Sequence, residues 1–187
     1  MRRALLWTVL LTAFVVTVAP ASATKVKLGK VAPSGAFPGS CSDCEAFAVQ
    51  TDPASPSYVV PTGRWTIISW RAQGDPVGDA HARLRIYRPG NVSGRYKLVA
   101  QSHSELVPGG TKPGHDARIR VRGGDLLGIE SIGAMPIVYE TGLVADEFAQ
   151  PTCEPQVGDS VGAGTACSLI TSTGRRVNAA ATLKSRG

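Results

Sequence analysis

The sequence has no segment with sustained 3.6-residue hydrophobic periodicity, and only 6% of its residues are aromatic. The absence of helical periodicity excludes helical bundles and alternating βα folds, because both need amphipathic helices. Beyond the first two dozen residues, no apolar run approaches the roughly 20 residues that a membrane-spanning helix needs. The mature part of the chain is therefore predicted to be soluble and to lack helices.

Common catalytic motifs are also missing. The chain has no G-x-S-x-G elbow, no H-E-x-x-H, no Walker loop, no EF-hand loop and no G-x-G-x-x-G after a strand, so the enzyme classes built on them are not indicated. Its three histidines, His81, His103 and His115, lie in polar turn regions and are predicted to be exposed. His103-Ser104 and His115-Asp116 are sequence neighbours, and neighbours in an extended chain point to opposite faces, so neither pair is a ready-made dyad.

The N-terminus has the pattern of an export signal. Arg2 and Arg3 precede an apolar run from Ala4 to Val18, and Ala21-Ser22-Ala23 follows as an A-x-A site. The alternative, a membrane anchor, needs a longer apolar run. We predict a cleavable signal at 1–23, a single domain at 24–187 and an extracellular location. Losing two arginines lowers the net charge from +6 to +4, which permits a polyanionic partner without requiring one.

Four cysteines remain in the predicted mature chain, an even number that suggests two disulfides in an exported protein. We favour the local pairing, Cys41–Cys44 and Cys153–Cys167, although spacing alone does not determine connectivity. The second link would close a glycine-rich loop, which is worth about 3 kcal/mol. A redox role for Cys41-x-x-Cys44 is disfavoured because Asp43 lies between the thiols, and a zinc site would need a second close pair.

Short β-branched runs between Gly and Pro turns occur roughly every ten residues along the whole chain. This spacing predicts an all-β fold, a single antiparallel β-sandwich resembling a jelly roll, with ten to twelve short strands. The stretch Tyr58–Arg71 is the predicted organising element, with a short strand at Tyr58–Val60, a turn at Pro61–Gly63 and a strand from Arg64 to Trp70. Another strand is predicted for Arg176–Lys184.

Several strand-and-turn strings resemble a group of uncharacterised exported proteins from high-GC Gram-positive bacteria. The strings are SYVVPTGRWTIISW, RLRIYRP, IRVRGGDLLGI, PTCEPQVGDSVGAGTAC and RVNAAATL, and the likeness extends over nearly the whole mature chain. The resemblance implies the β fold and the two-disulfide pattern. The resemblance implies no catalytic residue.

Arginine stripes are the strongest sign of a binding surface. Arg118, Arg120 and Arg122 alternate with Ile119 and Val121, which places the arginines on one face about 6.7 Å apart. On another strand Arg83 and Arg85 repeat the pattern, with Tyr87 beside them. If the two strands are neighbours, the five guanidinium groups form one patch for phosphate, sulfate or carboxylate groups. The alternative is a solvated sheet face that nearby acidic residues neutralise.

Two tryptophans lie in the organising stretch. Strict alternation places Trp65 and Trp70 on opposite faces of one strand, and we assign Trp65 to the core. Trp70 is then either covered by a loop or exposed as a stacking surface for a sugar ring, with Arg71 beside it.

No cofactor is predicted. Calcium is the only metal considered, at Asp75 and Asp79 in one loop or at Asp146 and Glu147 in another, and neither pair has a regular ligand spacing. Nucleic acid is a weaker candidate partner than an anionic polymer, because the arginine stripes lack the interleaved aromatics of single-strand binders.

Three functions are consistent with these features. The first is a non-enzymatic binding module for a glycan or an anionic cell-surface polymer. The second is a structural domain that joins proteins through its sheet edges. The third is a polysaccharide-acting hydrolase whose acidic residues meet only in the fold.

Overall fold

The computed structural model describes residues 23–33, 45–52, 58–133 and 135–186. These ranges are all-β and contain no helix, hence none that could span a membrane. Fourteen strands lie within the described ranges: β1 Lys25–Lys30, β2 Glu45–Asp52, β3 Arg64–Arg71, β4 Ala80–Pro89, β5 Arg95–Gln101, β6 Glu105–Val107, β7 Gly114–Arg122, β8 Leu126–Gly133, β9 Val138–Glu140, β10 Glu147–Pro151, β11 Ser160–Gly162, β12 Leu169–Thr173, β13 Arg175–Val177 and β14 Ala179–Ser185.

The strands pair antiparallel in three sheets. A four-stranded sheet has the order β1-β14-β3-β7, and an eight-stranded sheet has the order β11-β5-β4-β8-β2-β10-β12 with β6 on β4. Strands β13 and β9 form a small third sheet. One hydrophobic cluster contains residues of both large sheets. Ile67 and Leu183 belong to the four-stranded sheet, and Leu84 and Ile129 belong to the eight-stranded sheet, which is called the larger sheet below. The all-β, antiparallel prediction is confirmed, with more strands than expected.

A β-bulge in β3 changes the faces of the two tryptophans. Against β14, the consecutive residues Leu183 and Thr182 pair with Ile67 and Ser69, which leaves Ile68 as an extra residue in β3. An extra residue at a bulge inverts the alternation beyond it. Trp65 and Trp70 therefore point into the same core, with 9% and 1% of their surfaces exposed. The prediction that Trp65 is core is confirmed, whereas the prediction of opposite faces is wrong.

Tyr58 is central to the organising stretch, although Tyr58–Val60 is not a strand. Only Val59 forms an isolated bridge, to Leu126. Tyr58 is fully buried, and its hydroxyl oxygen lies within hydrogen-bond distance of the carbonyl oxygens of Val177 (2.7 Å) and Lys30 (3.0 Å). These bonds tie the segment before β3 to the ends of β1 and β13.

The predicted strand Arg176–Lys184 is divided in two at Asn178. Its first part belongs to β13 and its second to β14, in different sheets. The Asn178 side chain accepts from the backbone N–H groups of Ala32 and Gln73, and donates to the carbonyls of Gln73 and Pro136. A fully bonded buried amide replaces the sheet hydrogen bonds where the chain changes sheets.

The disulfide Cys153–Cys167 is present, with the Cα atoms 5.4 Å apart. Cys167 belongs to a second hydrophobic cluster with Tyr87, Leu98 and Val161, all from the larger sheet. Through Cys167, the segment from 153 to 167 that the disulfide closes packs against this second cluster. Cys41 and Cys44 lie outside the described residues, so their pairing stays a prediction.

The sequence patterns also did not identify β10, β11 and β12 as strands.

Candidate functional site

The arginine stripe on β7 has the predicted geometry. Arg118, Arg120 and Arg122 are exposed, and Ile119 and Val121 between them are buried in the shared core. The arginines therefore lie on the outer face of the four-stranded sheet, the face directed away from the core.

Strand order adds further cations to the same face. Arg64 lies directly opposite Arg122. One strand further, Lys184 pairs with Lys25 on the outer strand β1. Eight exposed side chains make up this surface, which we call the basic face: Lys25, Lys27, Arg64, Arg71, Arg118, Arg120, Arg122 and Lys184.

Little negative charge balances the basic face. Within the four strands, Asp116 is the only acidic residue. None of the eight cations forms an ion pair with any residue that the structure describes. Like charges directly opposite each other destabilise a sheet, so the pairs Arg64–Arg122 and Lys25–Lys184 do not stabilise this one. This distribution differs from a solvated face on which acidic and basic residues alternate.

Arg83 and Arg85 do not join this surface. They lie on β4, which belongs to the larger sheet, so the condition for a five-arginine patch is not met. Arg85 is only 1% exposed; its Nη2 is 2.6 Å from Glu130 Oε2 and its guanidinium lies 4.4 Å from the centre of the Phe47 ring. Arg83 makes a second contact with Glu130, Nη1 to Oε1 at 3.2 Å.

Tyr87 and Trp70, two other candidate ligand contacts, are also buried. Tyr87 belongs to the second hydrophobic cluster, and burial raises its pKa. The Trp70 ring packs on His115 with 4.7 Å between the ring centres. Trp70 lies in the shared core, rather than under a loop or in solvent as the two predicted alternatives have it, and offers no open stacking surface. Arg71, next to Trp70, remains exposed on the basic face.

A hollow of about 200 Å³ opens on the outer face beside Arg71. Small residues, Gly29 and Ala180, form part of its lining, and Lys27 and Lys30 line it together with Arg71. Gly29 has φ +68°, and a Cβ there would collide with the carbonyl oxygen of Ala179, so glycine is required at this position. Three cations around a small hollow suit a single phosphate, sulfate or carboxylate group.

The histidines divide into two groups. His81 and His103 are exposed, as predicted. His115 is not, because it faces Trp70 from the paired strand β7 and its side chain is only 11% exposed. Burial lowers the pKa of His115, and the Glu105 carboxylate, 3.9 Å from Nδ1, opposes this shift.

Three of the four carboxylates considered for calcium, those of Asp75, Asp79 and Asp146, are bonded within the fold. Asp75 accepts a hydrogen bond from the Val77 N–H, and Asp79 accepts one from the Gly109 N–H. Asp146 pairs with Arg176, with Nε and Oδ2 2.9 Å apart. In the described ranges, no three His, Cys, Asp or Glu side chains are grouped so that they could hold a metal ion.

Sequence reasoning missed half of the basic face. The predicted contacts include Arg71, Arg118, Arg120 and Arg122 but not Lys25, Lys27, Arg64 and Lys184, because no local pattern shows that their strands are adjacent. The missing information was strand order, which depends on long-range pairing. Comparison of the chain with models of protein families, with curated proteins and with solved structures finds no match.

Proposed function

We propose that this chain is a secreted, non-enzymatic binding protein whose basic face holds an anionic polymer at the cell surface. Its two large sheets would form the jelly-roll-like β-sandwich that the sequence predicts, as in the exported proteins of high-GC Gram-positive bacteria that it resembles. One observation carries the proposal. Eight exposed cations share one sheet face, with a single carboxylate among the residues of its strands.

The geometry suits a polymer better than a single ion. Outward side chains repeat about every 6.7 Å along a strand, and neighbouring strands lie about 4.8 Å apart. The cations thus form a two-dimensional array that can contact several charges of a chain at once. Guanidinium groups donate two parallel hydrogen bonds to phosphate or carboxylate, which favours arginine in such an array.

The absence of aromatic rings from the face favours a wall polymer over nucleic acid. Trp65 and Trp70 are the only aromatic residues of the four strands apart from His115, and all three are directed inward. Proteins that hold single-stranded nucleic acid need exposed rings on which bases stack. A polymer with phosphate or carboxylate groups needs only the charges.

Retention on immobilised polyglycerol phosphate tests the proposal. The double variant Arg118→Ser with Arg120→Ser should elute at clearly lower salt than the unaltered protein, because about two charge contacts are lost. Lys97→Ser with Arg175→Ser removes the same charge from other parts of the surface. Arg175 makes only an exposed pair with Glu140, at 3.4 Å, so this control should fold normally.

Equal loss of retention in both double variants would show that net charge alone matters, and would overturn the proposal. Failure of the unaltered protein to bind at about 50 mM salt, where exposed charges are weakly screened, would overturn it as well. Binding to single-stranded DNA that equals binding to the polymer would assign the face to nucleic acid instead.

A further inference from the structure

The larger sheet curves until its two end strands meet. Strands β11 and β12 are the ends of this sheet and also follow each other in the chain. The N–H of Gly162, the last residue of β11, donates to the carbonyl of Cys167, just before β12 (2.7 Å). Between the two ends lies a groove of about 490 Å³. This volume is within the range of small-molecule sites, about 300–1,000 Å³.

The groove is lined by hydroxyl groups, one aromatic ring and one carboxylate. Tyr96 of β5 supplies a half-buried ring and Glu147 of β10 supplies the carboxylate. Glu147 is the only charged side chain among the described residues that line the groove. The hydroxyl groups are those of Thr51, Thr165, Ser168 and Thr171, together with Ser93.

The Glu147 carboxylate is held in place with one oxygen available. Its Oε1 accepts from the Thr51 hydroxyl at 2.8 Å, and the same hydroxyl lies 3.1 Å from the Glu147 carbonyl oxygen. No described residue donates a hydrogen bond to Oε2. Burial raises the pKa of Tyr96, and the nearby charge of Glu147 raises it further, so the phenol stays protonated and can donate.

These groups discriminate between classes of ligand. Glu147 repels an anion, which separates this groove from the basic face. The Thr51, Thr165 and Ser168 hydroxyl groups already bond within the fold. An apolar ligand would cover those of Ser93 and Thr171, which have no hydrogen-bond partner among the described residues, at a cost in free energy. A sugar ring presents a C–H face that packs on an aromatic ring and hydroxyl groups that both donate and accept hydrogen bonds.

We propose that the groove between β11 and β12 is a binding site for a neutral saccharide, with Tyr96 as the stacking ring and Glu147 as the acceptor for sugar hydroxyl groups. This site is separate from the basic face and does not depend on it. It assigns the sugar-binding role to Tyr96, a residue that the sequence patterns did not single out.

Amide NMR of the whole protein tests this proposal with maltotriose, cellotriose and tri-N-acetylchitotriose as probes. At about 10 mM sugar, a concentration that reveals millimolar affinities, at least one probe should shift the signals of Tyr96, Glu147 and Thr171. Glu147→Gln keeps the acceptor for Thr51 and should weaken binding roughly tenfold or more, because a charge-assisted hydrogen bond is lost. Tyr96→Leu keeps apolar volume and should abolish binding.

Two variants serve as controls. Glu154→Gln neutralises an exposed carboxylate outside the groove and should bind the sugar normally. Arg118→Ser with Arg120→Ser should also bind normally, which separates this proposal from the one for the basic face.

Absence of shifts at the groove with all three neutral probes would overturn the proposal. Binding that survives both Glu147→Gln and Tyr96→Leu would do so too. If chitosan trimer, the amine-bearing counterpart, binds but the neutral sugars do not, the groove is a cation site, and the saccharide assignment is wrong.

Discussion

Arg85 and Glu130 form an ion pair in which both side chains are 1% exposed, with Nη2 and Oε2 2.6 Å apart. Arg85 also donates from Nη1 to the carbonyl oxygen of Pro155 (2.9 Å), so the pair links β4 and β8 to the disulfide-closed segment. Buried charges of this kind are tolerated only when each is paired and hydrogen-bonded. The arginine that the sequence placed on a binding surface is therefore a structural residue.

We expect Glu130→Gln to destabilise the protein by about 3–5 kcal/mol, because it leaves the buried Arg85 without its countercharge. Urea unfolding monitored by tryptophan fluorescence measures this change. The control is Glu140→Gln, which removes an exposed partner of Arg175 and should cost less than about 1 kcal/mol. Similar losses in the two variants would contradict the structural role of the buried pair.

His115 should make the protein less stable in mild acid. Its pKa in the folded state is lowered by burial beside Trp70, whereas in the unfolded chain it is about 6.5. The unfolded state then binds more protons as pH falls below that value, so the free energy of unfolding decreases between about pH 7.5 and pH 5.5. His115→Phe keeps a ring against Trp70 and should reduce this decrease. An unchanged pH dependence in the variant would rule out His115 as its source.

Gly29 and Gly142 provide a matched pair, since both have φ +68°. Alanine at Gly142 meets no atom within 4 Å and should cost only the backbone strain, about 1–2 kcal/mol. Alanine at Gly29 would also collide with the carbonyl oxygen of Ala179, so it should cost about 1–3 kcal/mol more. Thermal or urea unfolding of the two variants gives the difference directly. Equal losses would show that the close approach of β1 and β14 relaxes easily.

Asn178→Asp should cost roughly 2–5 kcal/mol at neutral pH. The substitution keeps the two accepting bonds but leaves the carbonyl oxygens of Gln73 and Pro136 without their donor. Asn91→Asp, at an exposed turn position, makes the same chemical change and should remain within about 0.5 kcal/mol of the unaltered protein. A mild effect at Asn178 would mean that the chain can change sheets without this side chain.

Local pattern alone determined that the chain is all-β and that Arg118, Arg120 and Arg122 share an exposed face, and it favoured the pairing of Cys153 with Cys167. Each of these depends on residues that are close in sequence: alternation with period two, or a short loop between two cysteines. Tertiary structure decided the rest. A bulge after Ile67 turned Trp70 into the core. Strand order separated Arg85 from the β7 arginines and placed Lys25, Arg64 and Lys184 on the same face as those arginines. Curvature of the larger sheet created the groove at Tyr96. Bulges, strand order and curvature come from pairings between distant segments, which no local pattern contains.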